Sequence, residues 1–148
     1  MHIEKTCLVK APVDAVWQTL LDLDRLATCV PGVERVEVLE PTRFVVHVAV
    51  KVGIVSARFA LKVTLVETRP PHYLRSETVG EETGMASSLR QSTELTLEPV
   101  GPAETRLAVR TDVDVFGRLG TFGHGVIKAK ADRMWQEFAA NLAAKVAA

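Results

Sequence analysis

The longest helical pattern in the chain runs from Leu119 to Val146 and reads LGTFGHGVIKAKADRMWQEFAANLAAKV. A helix of this span would be roughly 42 Å long at about 1.5 Å per residue, which is longer than an ordinary strand. The segments that precede it alternate apolar and polar residues, as strands do. We therefore expect the rest of the chain to form a sheet that wraps around this helix.

The apolar residues of this helical segment do not share one face. At about 100° per residue, those between Leu119 and Ile127 point roughly 115° away from those between Ala131 and Leu142. The glycines between Gly117 and Gly125 weaken the first half, because each costs up to about 1 kcal/mol inside a helix. Two interpretations remain open: a slow helix start with a bend over a curved sheet, or a gate over a cavity or a membrane-touching segment.

Alternation of apolar and polar residues predicts the strands. The clearest case is Val55 to Leu65, which is typical of an antiparallel strand with one buried and one solvated face. Two short helices, Val13 to Leu21 and about Asp24 to Cys29, follow the first strand, and Pro12 is suited to the first helix start. The other predicted strands are Ile3 to Lys10, Val33 to Glu40, Phe44 to Val52, Tyr73 to Val79, Met85 to Glu98 and Thr105 to Phe116.

Length and composition limit the class of protein. A chain of 148 residues is expected to form a single domain, here residues 1–148, and to bury roughly 70% of its unfolded surface. The 18 basic and 18 acidic side chains cancel, and only 5% of residues are aromatic. A nucleic-acid-binding protein would show a basic excess with stacking aromatics, so that class is excluded.

The sequence also argues against metal sites, disulfides and membrane-spanning helices. Cys7 and Cys29 form no CxxC pair, and we interpret them as buried or idle thiols. The four histidines have no ligand spacing, so no metal site is expected. The chain shows no signal peptide and no long apolar run, which predicts a cytoplasmic protein. An amphipathic helix still allows peripheral contact with a membrane.

Two groups of polar residues on the predicted strands are candidates for a functional role. Gln91 and Thr93 share a face with apolar residues of their strand, so they either meet water at the end of the sheet or orient an internal ligand. Asp112 and Asp114 alternate with inward-facing valines, and we interpret them as part of a solvated face rather than a catalytic pair.

Several short motifs, spread in order over nearly the whole chain, point to one family. They are Ala11-Pro12 before Val16-Trp17, Cys29-Val30-Pro31-Gly32-Val33-Glu34, Lys51-Val52-Gly53, Val63-Thr64-Leu65-Val66-Glu67 before Pro70-Pro71, Phe116-Gly117-Arg118-Leu119-Gly120, and Ala131-Asp132-Arg133-Met134 before Phe138 and Asn141-Leu142. Together they resemble the CoxG family, the G-subunit family of carbon monoxide dehydrogenase, which is a branch of the START-like (Bet v 1-like) superfamily. The chain departs from the family pattern at Gly53-Ile54 and at Ala60-Leu61.

The element order and the resemblance imply an α+β helix-grip fold. In this fold a curved antiparallel sheet of about seven strands wraps around the long C-terminal helix, with two short helices after the first strand. Sheet and helix in such folds often enclose a hollow. The chain stops at Ala148, whereas some relatives continue into a tail, so anchoring through such a tail is not expected.

The leading hypothesis is an accessory protein that binds a small apolar ligand, a quinone or a lipid, without a tightly bound cofactor. The resemblance implies a role beside a molybdenum-containing carbon monoxide dehydrogenase or related hydroxylase, in membrane recruitment or electron transfer to quinone. Gln91 or Thr93 would orient a ligand carbonyl, and Lys130 would meet a polar head. The expected ligand-binding residues are Phe44, Val48, Phe59, Leu61, Met85, Leu89, Gln91, Thr93, Phe116, Phe122, Val126, Lys130 and Met134.

Two other classes of function remain open. START-like folds also house cyclases and dehydratases, and Tyr73, Glu77 and Lys130 are the available acid or base groups, although no catalytic pair is visible. Alternatively, the segment from Gly117 to Gly125 docks on a partner protein or a membrane. Leu119, Phe122, Val126 and Ile127 would form that docking patch.

Overall fold

The computed structural model of the protein describes residues 1–84 and 86–147. Over these residues the chain forms seven strands and three α-helices, with a short 3-10 turn before the last helix. In chain order they are β1 (His2–Val9), α1 (Val13–Leu21), α2 (Leu23–Ala27), β2 (Val33–Glu40), β3 (Arg43–Val52), β4 (Val55–Arg69), β5 (Tyr73–Glu82), β6 (Ser87–Gly101), β7 (Glu104–Gly117), the 3-10 turn (Leu119–Phe122) and α3 (His124–Ala147).

All seven strands belong to one antiparallel sheet in the order β1-β7-β6-β5-β4-β3-β2. Strands β2 to β7 form a meander, and β1 completes the sheet by pairing along its length with β7, from His2 opposite Asp112 to Val9 opposite Thr105. Helices α1 and α2 carry the chain from the β1 edge to the β2 edge. The predicted helix-grip fold is therefore confirmed.

Two separate apolar clusters hold the inner face of the sheet. The first, which we call the α1 cluster, contains Val16 and Trp17 of α1, Leu107 of β7 and Leu142 of α3. The second lies at the other end and contains Val48, Val52, Ala57, Phe59 and Leu119. We call it the strap cluster, because Leu119 belongs to the segment 118–122, hereafter the strap. The core is thus divided in two rather than continuous.

The C-terminal half of α3 is firmly attached. Leu142 is completely buried in the α1 cluster. The side-chain amide of Asn141 donates to the carbonyl of Cys29 at 3.0 Å, and the Arg25 guanidinium donates to the carbonyl of Lys145 at 2.9 Å. Near the middle of α3, Asp132 forms an ion pair with Lys5 of β1. These contacts hold α3 toward the β1 side of the sheet.

The N-terminal half of the predicted helix differs from the expectation. A continuous helix from Leu119 is wrong, because the strap forms a 3-10 turn and α3 begins only at His124. Gly123, between them, has a φ of 81°, a conformation that side chains other than glycine rarely adopt. The break between the two halves that the glycines and the change of face predicted therefore lies at Gly123.

Candidate ligand-binding hollow

The middle of the fold, between the two clusters, is only partly buried. On the sheet Val63 and Val113 are only half-buried although they lie on the inner face, and so is Met134 on α3. A helix that covered a filled core would bury a continuous stripe, whereas Leu142 is the single fully buried residue among the described residues of α3. From this partial burial we infer a hollow between the sheet and α3.

One side of α3 opens into a cleft of about 490 Å³ against β3 and the preceding corner. Val50, which also packs on the strap cluster, and Met134 supply apolar surface, so the cleft is continuous with the inner face of the fold. The remaining lining residues are Pro31, Gly32, Ala49, Lys51, Gly53, Lys130, Arg133 and Glu137.

The rim of this cleft is positively charged. Lys51, Lys130 and Arg133 line it together with a single carboxylate, Glu137. Within residues 1–84 and 86–147, none of the three cations has a carboxylate oxygen within 4.0 Å. An anionic or strongly polar group that approaches the mouth would therefore meet uncompensated positive charge.

Gly32 shapes the wall of the cleft. Its φ is 86°, and its carbonyl accepts a hydrogen bond of 2.8 Å from the backbone N–H of Ala49 on β3. A Cβ atom at this position would overlap the carbonyl oxygen of Ala49. The Pro31-Gly32 corner can lie this close to β3 because residue 32 has no side chain.

A band of polar side chains crosses the inner face between the two apolar clusters. We call it the polar belt; it contains Ser76 and Thr78 of β5, Gln91 and Thr93 of β6, and Thr111 of β7. Gln91 Nε2 donates to Thr93 Oγ1 at 3.1 Å and to Thr111 Oγ1 at 3.0 Å. The two threonine oxygens are 2.9 Å apart, and Thr111 Oγ1 donates to the carbonyl of Ser92 at 3.2 Å. Gln91 and Thr93 thus lie inside, on the hollow.

The strap closes the end of the fold over Phe59. The Arg118 guanidinium pairs with the buried carboxylate of Glu82 and donates to the carbonyl of Ser56 at 3.3 Å. The backbone N–H of Leu119 donates to the hydroxyl of Ser87 at 3.1 Å. Glu82 Oε1 is buried without a partner in the described part of the chain. The strap is therefore held by polar contacts as well as by Leu119.

Most of the sequence-predicted site residues come together around the hollow. Those in or against the strap cluster are Val48, Phe59, Leu61, Leu89 and Phe122. Gln91 and Thr93 belong to the polar belt, and Lys130 and Met134 line the cleft. Phe44 is buried on the inner face of β3, outside both clusters. Met85 lies outside the described residues.

Two predicted site residues do not have the inward direction expected of them. Phe116 is 53% exposed, because the two-residue period of β7 places it on the outer face with Asp112 and Asp114. Val126 is 44% exposed. Its predicted direction assumed a regular helix from Leu119, and the 3-10 turn and Gly123 change the angular phase before α3 begins.

The structure adds residues that the prediction did not include. Thr111 and Thr78 complete the polar belt. Thr111 shares the inner face of β7 with Val109 and Val113, which was a usable signal, whereas Thr78 shares its face with Ser76 and Gly80. The predicted strand ended at Val79, but β5 continues to Glu82, which lies opposite Phe59 on the inner face. No local pattern distinguishes Glu82 from the exposed Glu81 beside it.

The residues considered for acid or base chemistry are mostly remote from the hollow. Tyr73 donates to Glu94 Oε2 at 2.8 Å, and this hydrogen bond raises the pKa of the tyrosine above its ordinary value. Glu77 is exposed on the outer face, 3.4 Å from Arg75. Lys130 is the candidate that lines the cleft.

Other features concern thiols, metals and membranes. Cys29 is buried, and burial raises the pKa of the half-buried Cys7 thiol. In residues 1–84 and 86–147 no group of three His, Cys, Asp or Glu side chains is arranged to hold a metal ion. None of the described helices is long and apolar enough to span a membrane.

Comparison with known proteins gives a family and a fold. The family of the carbon monoxide dehydrogenase G subunit (CoxG) matches residues 6–147. No curated protein matches the sequence.

Several solved structures share the fold. A conserved protein from Geobacillus kaustophilus has a TM-score of 0.92 at 17% identity, over 99% of this chain and 95% of its own. A START superfamily protein from Mycobacterium smegmatis has a TM-score of 0.74 at 18% identity, over 98% and 96% of the two chains. The Zhui aromatase/cyclase from Streptomyces sp. R1128 has a TM-score of 0.75 at 20% identity, over 99% and 93%. At sequence identities this low, the similarity shows a shared fold and nothing about function.

Proposed function

The chain belongs to the CoxG family of carbon monoxide dehydrogenase, and from this membership and the hollow under α3 we propose that it binds a small apolar molecule, a quinone or a lipid. The observation that carries the proposal is the divided core. Two apolar clusters flank a half-buried middle, and both the sheet and α3 present partly accessible side chains to it. A single-domain protein of this size does not need to leave its centre unfilled for stability.

The composition of the hollow suits an amphiphile. Leu61, Leu89 and Phe122 are partly buried against the strap cluster and offer apolar surface. Each square ångström that a ligand covers contributes about 25 cal/mol before the costs of binding are subtracted. The polar belt supplies a few hydrogen-bonding groups that would fix the ligand's orientation, as is usual in small-molecule sites.

Family membership also supports a proposal about the partner. We place the protein beside a molybdenum-containing carbon monoxide dehydrogenase or a related hydroxylase, as an accessory protein without catalysis of its own. Its role there would be membrane recruitment or electron transfer to quinone, on the cytoplasmic side. The cleft with Lys51, Lys130 and Arg133 on its rim would serve as the ligand's entry, because Val50 in its wall also packs on the strap cluster.

The test begins with native mass spectrometry of the protein purified from its own host, followed by organic extraction. Recovery of a stoichiometric quinone or lipid would support the proposal. Protein that arrives empty and then fails to bind added quinones and fatty acids would contradict it.

A matched pair of variants locates the ligand. Val63→Phe adds a ring to the inner face of β4 in the middle of the hollow and should reduce ligand occupancy at least tenfold. Val79→Phe places the same ring on the outer face of β5, where the side chain is 50% exposed, and should leave occupancy unchanged. Equal occupancy in both variants would place the ligand elsewhere.

One observation favours docking on a membrane as a second function. Ile54, at the tip of the β3–β4 hairpin, is 97% exposed, and a Cβ atom on neighbouring Gly53 would lie 3.9 Å from the ring of Phe122 in the strap. The patch predicted from the strap is not available as such, because Leu119 is buried. Flotation with anionic liposomes tests this function: Ile54→Asp should abolish it, and Val38→Asp at the other end of the sheet should not.

A further inference from the structure

We propose that the hollow selects ligands whose buried polar end is a hydroxyl group, such as an alcohol, a phenol or a hydroquinone, over ligands that end in a carbonyl or an ether. The inference rests on the proposed function, since it specifies the ligand of the same hollow. It follows from where the hydrogen atoms of the polar belt must lie. The decisive residue is Gln91.

Four hydrogen-bonding contacts connect Gln91, Thr93, Thr111 and the carbonyl of Ser92. Four hydrogen atoms are available to them, two on the glutamine amide and one on each threonine hydroxyl. Because the Ser92 carbonyl can only accept, the Thr111 hydrogen points to it. The Thr93 hydrogen then fills the contact between the two threonines, and the two amide hydrogens fill the contacts from Gln91. Each contact receives one hydrogen.

The opposite orientation of the Gln91 amide does not satisfy this count. With the amide oxygen toward the threonines, only the two threonine hydrogens would remain for the four contacts. Two pairs of oxygen atoms would then face each other at hydrogen-bonding distance with no hydrogen between them, which is repulsive. The number of available hydrogens therefore fixes the orientation of the Gln91 amide, with Nε2 toward Thr93 and Thr111.

Gln91 Oε1 is consequently directed away from the two threonines. Gln91 is half-buried on the inner face, and no residue in the described part of the chain donates a hydrogen bond to Oε1. Thr93 and Thr111 cannot turn to donate to Oε1, because their single hydroxyl hydrogens are already used. The belt therefore offers the hollow an oxygen that can only accept.

The other members of the belt do not discriminate between ligands. Thr78 lies directly opposite Gln91 on β5, and Ser76 lies opposite Thr93. Their hydroxyls form no hydrogen bonds with the described residues, and a hydroxyl both donates and accepts. They fit a ligand carbonyl as well as a ligand hydroxyl. Gln91 Oε1, which only accepts, decides between the two.

A ligand hydroxyl satisfies both sides of the belt, because it can donate to Gln91 Oε1 and accept from Thr78. A carbonyl or ether oxygen in the same place would accept from Thr78 but would set its lone pairs against Gln91 Oε1, which loses water and gains no partner. For a quinone carrier the reduced, hydroxyl-bearing form would bind more tightly than the oxidised form. The direction is opposite to the ligand carbonyl that the sequence suggested for Gln91.

The experiment compares two probes that differ in a single hydrogen-bond donor. para-Nonylphenol and its methyl ether, para-nonylanisole, share ring and tail, and each is titrated calorimetrically into the intact protein. We expect the phenol to bind roughly five- to tenfold more tightly, the value of about one net hydrogen bond. The variant Gln91→Met should bring the two affinities to within about twofold of each other. Gln136→Met, the same change on the exposed side of α3, should keep the wild-type ratio.

A second variant tests the same inference independently, in case Gln91→Met does not fold. Thr111→Val removes the hydroxyl that orients the amide, so the preference for the phenol should fall although Gln91 is retained. Binding of both probes with equal affinity by the wild-type protein would overturn this inference and leave the proposed function standing. Failure of both probes to bind would overturn the proposed function and this inference with it.

Discussion

The wall of the cleft requires a glycine at position 32. Replacing it with alanine forces a Cβ atom against the Ala49 carbonyl in a backbone region that side chains avoid. Gly32→Ala should lower the free energy of unfolding by about 1 to 3 kcal/mol in urea denaturation. Gly125→Ala is the control, because its Cβ would meet open space inside α3, and it should be neutral or stabilising by up to about 1 kcal/mol.

His2 gives the sheet edge a pH dependence. Its Nδ1 contacts Asp112 Oδ1 at 2.8 Å and its Nε2 contacts Glu4 Oε2 at 3.1 Å, and these hydrogen bonds, led by Asp112, raise the pKa of His2 above 6.5. A raised pKa means that the folded state binds the proton more tightly. The stability advantage over His2→Gln should be full below pH 6.5 and disappear as the pH rises through the higher folded-state pKa. A constant advantage from pH 5 to 9 would contradict this.

Single residues were predictable where they follow a strand's own alternation. Gln91 and Thr93 were placed on the inner face from the two-residue period, and the structure places them there. Their hydrogen bonds to Thr111 depend on the register between β6 and β7, in which Thr93 lies opposite Thr111. Register is set by long-range pairing and has no local signal, so these hydrogen bonds could not be predicted from the sequence.

At the scale of elements, α3 has a strongly attached half and a weakly attached half. Leu142→Ala removes a fully buried side chain and should cost about 2 to 5 kcal/mol of unfolding free energy. Val126→Ala, on the exposed first turn, should change it by less than about 0.5 kcal/mol. Chemical denaturation followed by tryptophan fluorescence measures both. Similar costs would mean that the helix packs evenly along its length.

The strap depends on the pair formed by Arg118 and Glu82. Arg118→Met leaves the buried Glu82 carboxylate without a partner. Because Arg118 itself is half-exposed, we expect the free energy of unfolding to fall by only about 1 to 3 kcal/mol. The double variant with Glu82→Met should recover most of that loss, because no buried charge remains. Hydrogen exchange of the Leu119 amide reports on the strap directly, and should quicken in the single variant.

Element boundaries were predicted well where the period was regular. The bounds of β2 and α1 agree with the prediction to the residue, whereas β4 and β5 continue beyond it. The start of α3 was wrong because the 3-10 strap rotates the chain by about 120° per residue and not by about 100°. Periodicity shows that the apolar residues of the two helix halves point in different directions, but it does not show which backbone conformation joins the halves.

For the whole molecule, ligand binding should stabilise the fold unevenly. A ligand that enters the hollow bridges the strap cluster and the half-buried side of α3, so it should raise the unfolding temperature in proportion to the logarithm of its concentration. Hydrogen exchange should slow most in the strap and in residues 124–134, and least near Leu142. Uniform protection would indicate binding outside the hollow.

The architecture as a whole was predictable from sequence, since the meander and the long final helix leave few other arrangements. The hollow was expected from the family resemblance alone and not from the residue pattern, because an unfilled centre and a filled one use the same apolar residues. Leu61 and Leu89 would carry the same pattern in either case, and only their partial exposure distinguishes the two.

The pairing of β1 with β7 governs when the protein can finish folding during synthesis. Strand β1 leaves the ribosome long before its pairing partners, which lie between Thr105 and Asp112. The meander from β2 to β6 can assemble as it emerges, whereas β1 must wait, with Ile3 and Val9 still uncovered, until most of the chain has been translated. The nascent chain therefore passes through a long stage with an open sheet edge and an unpaired N-terminal strand, and it is then that a chaperone would have most to hold.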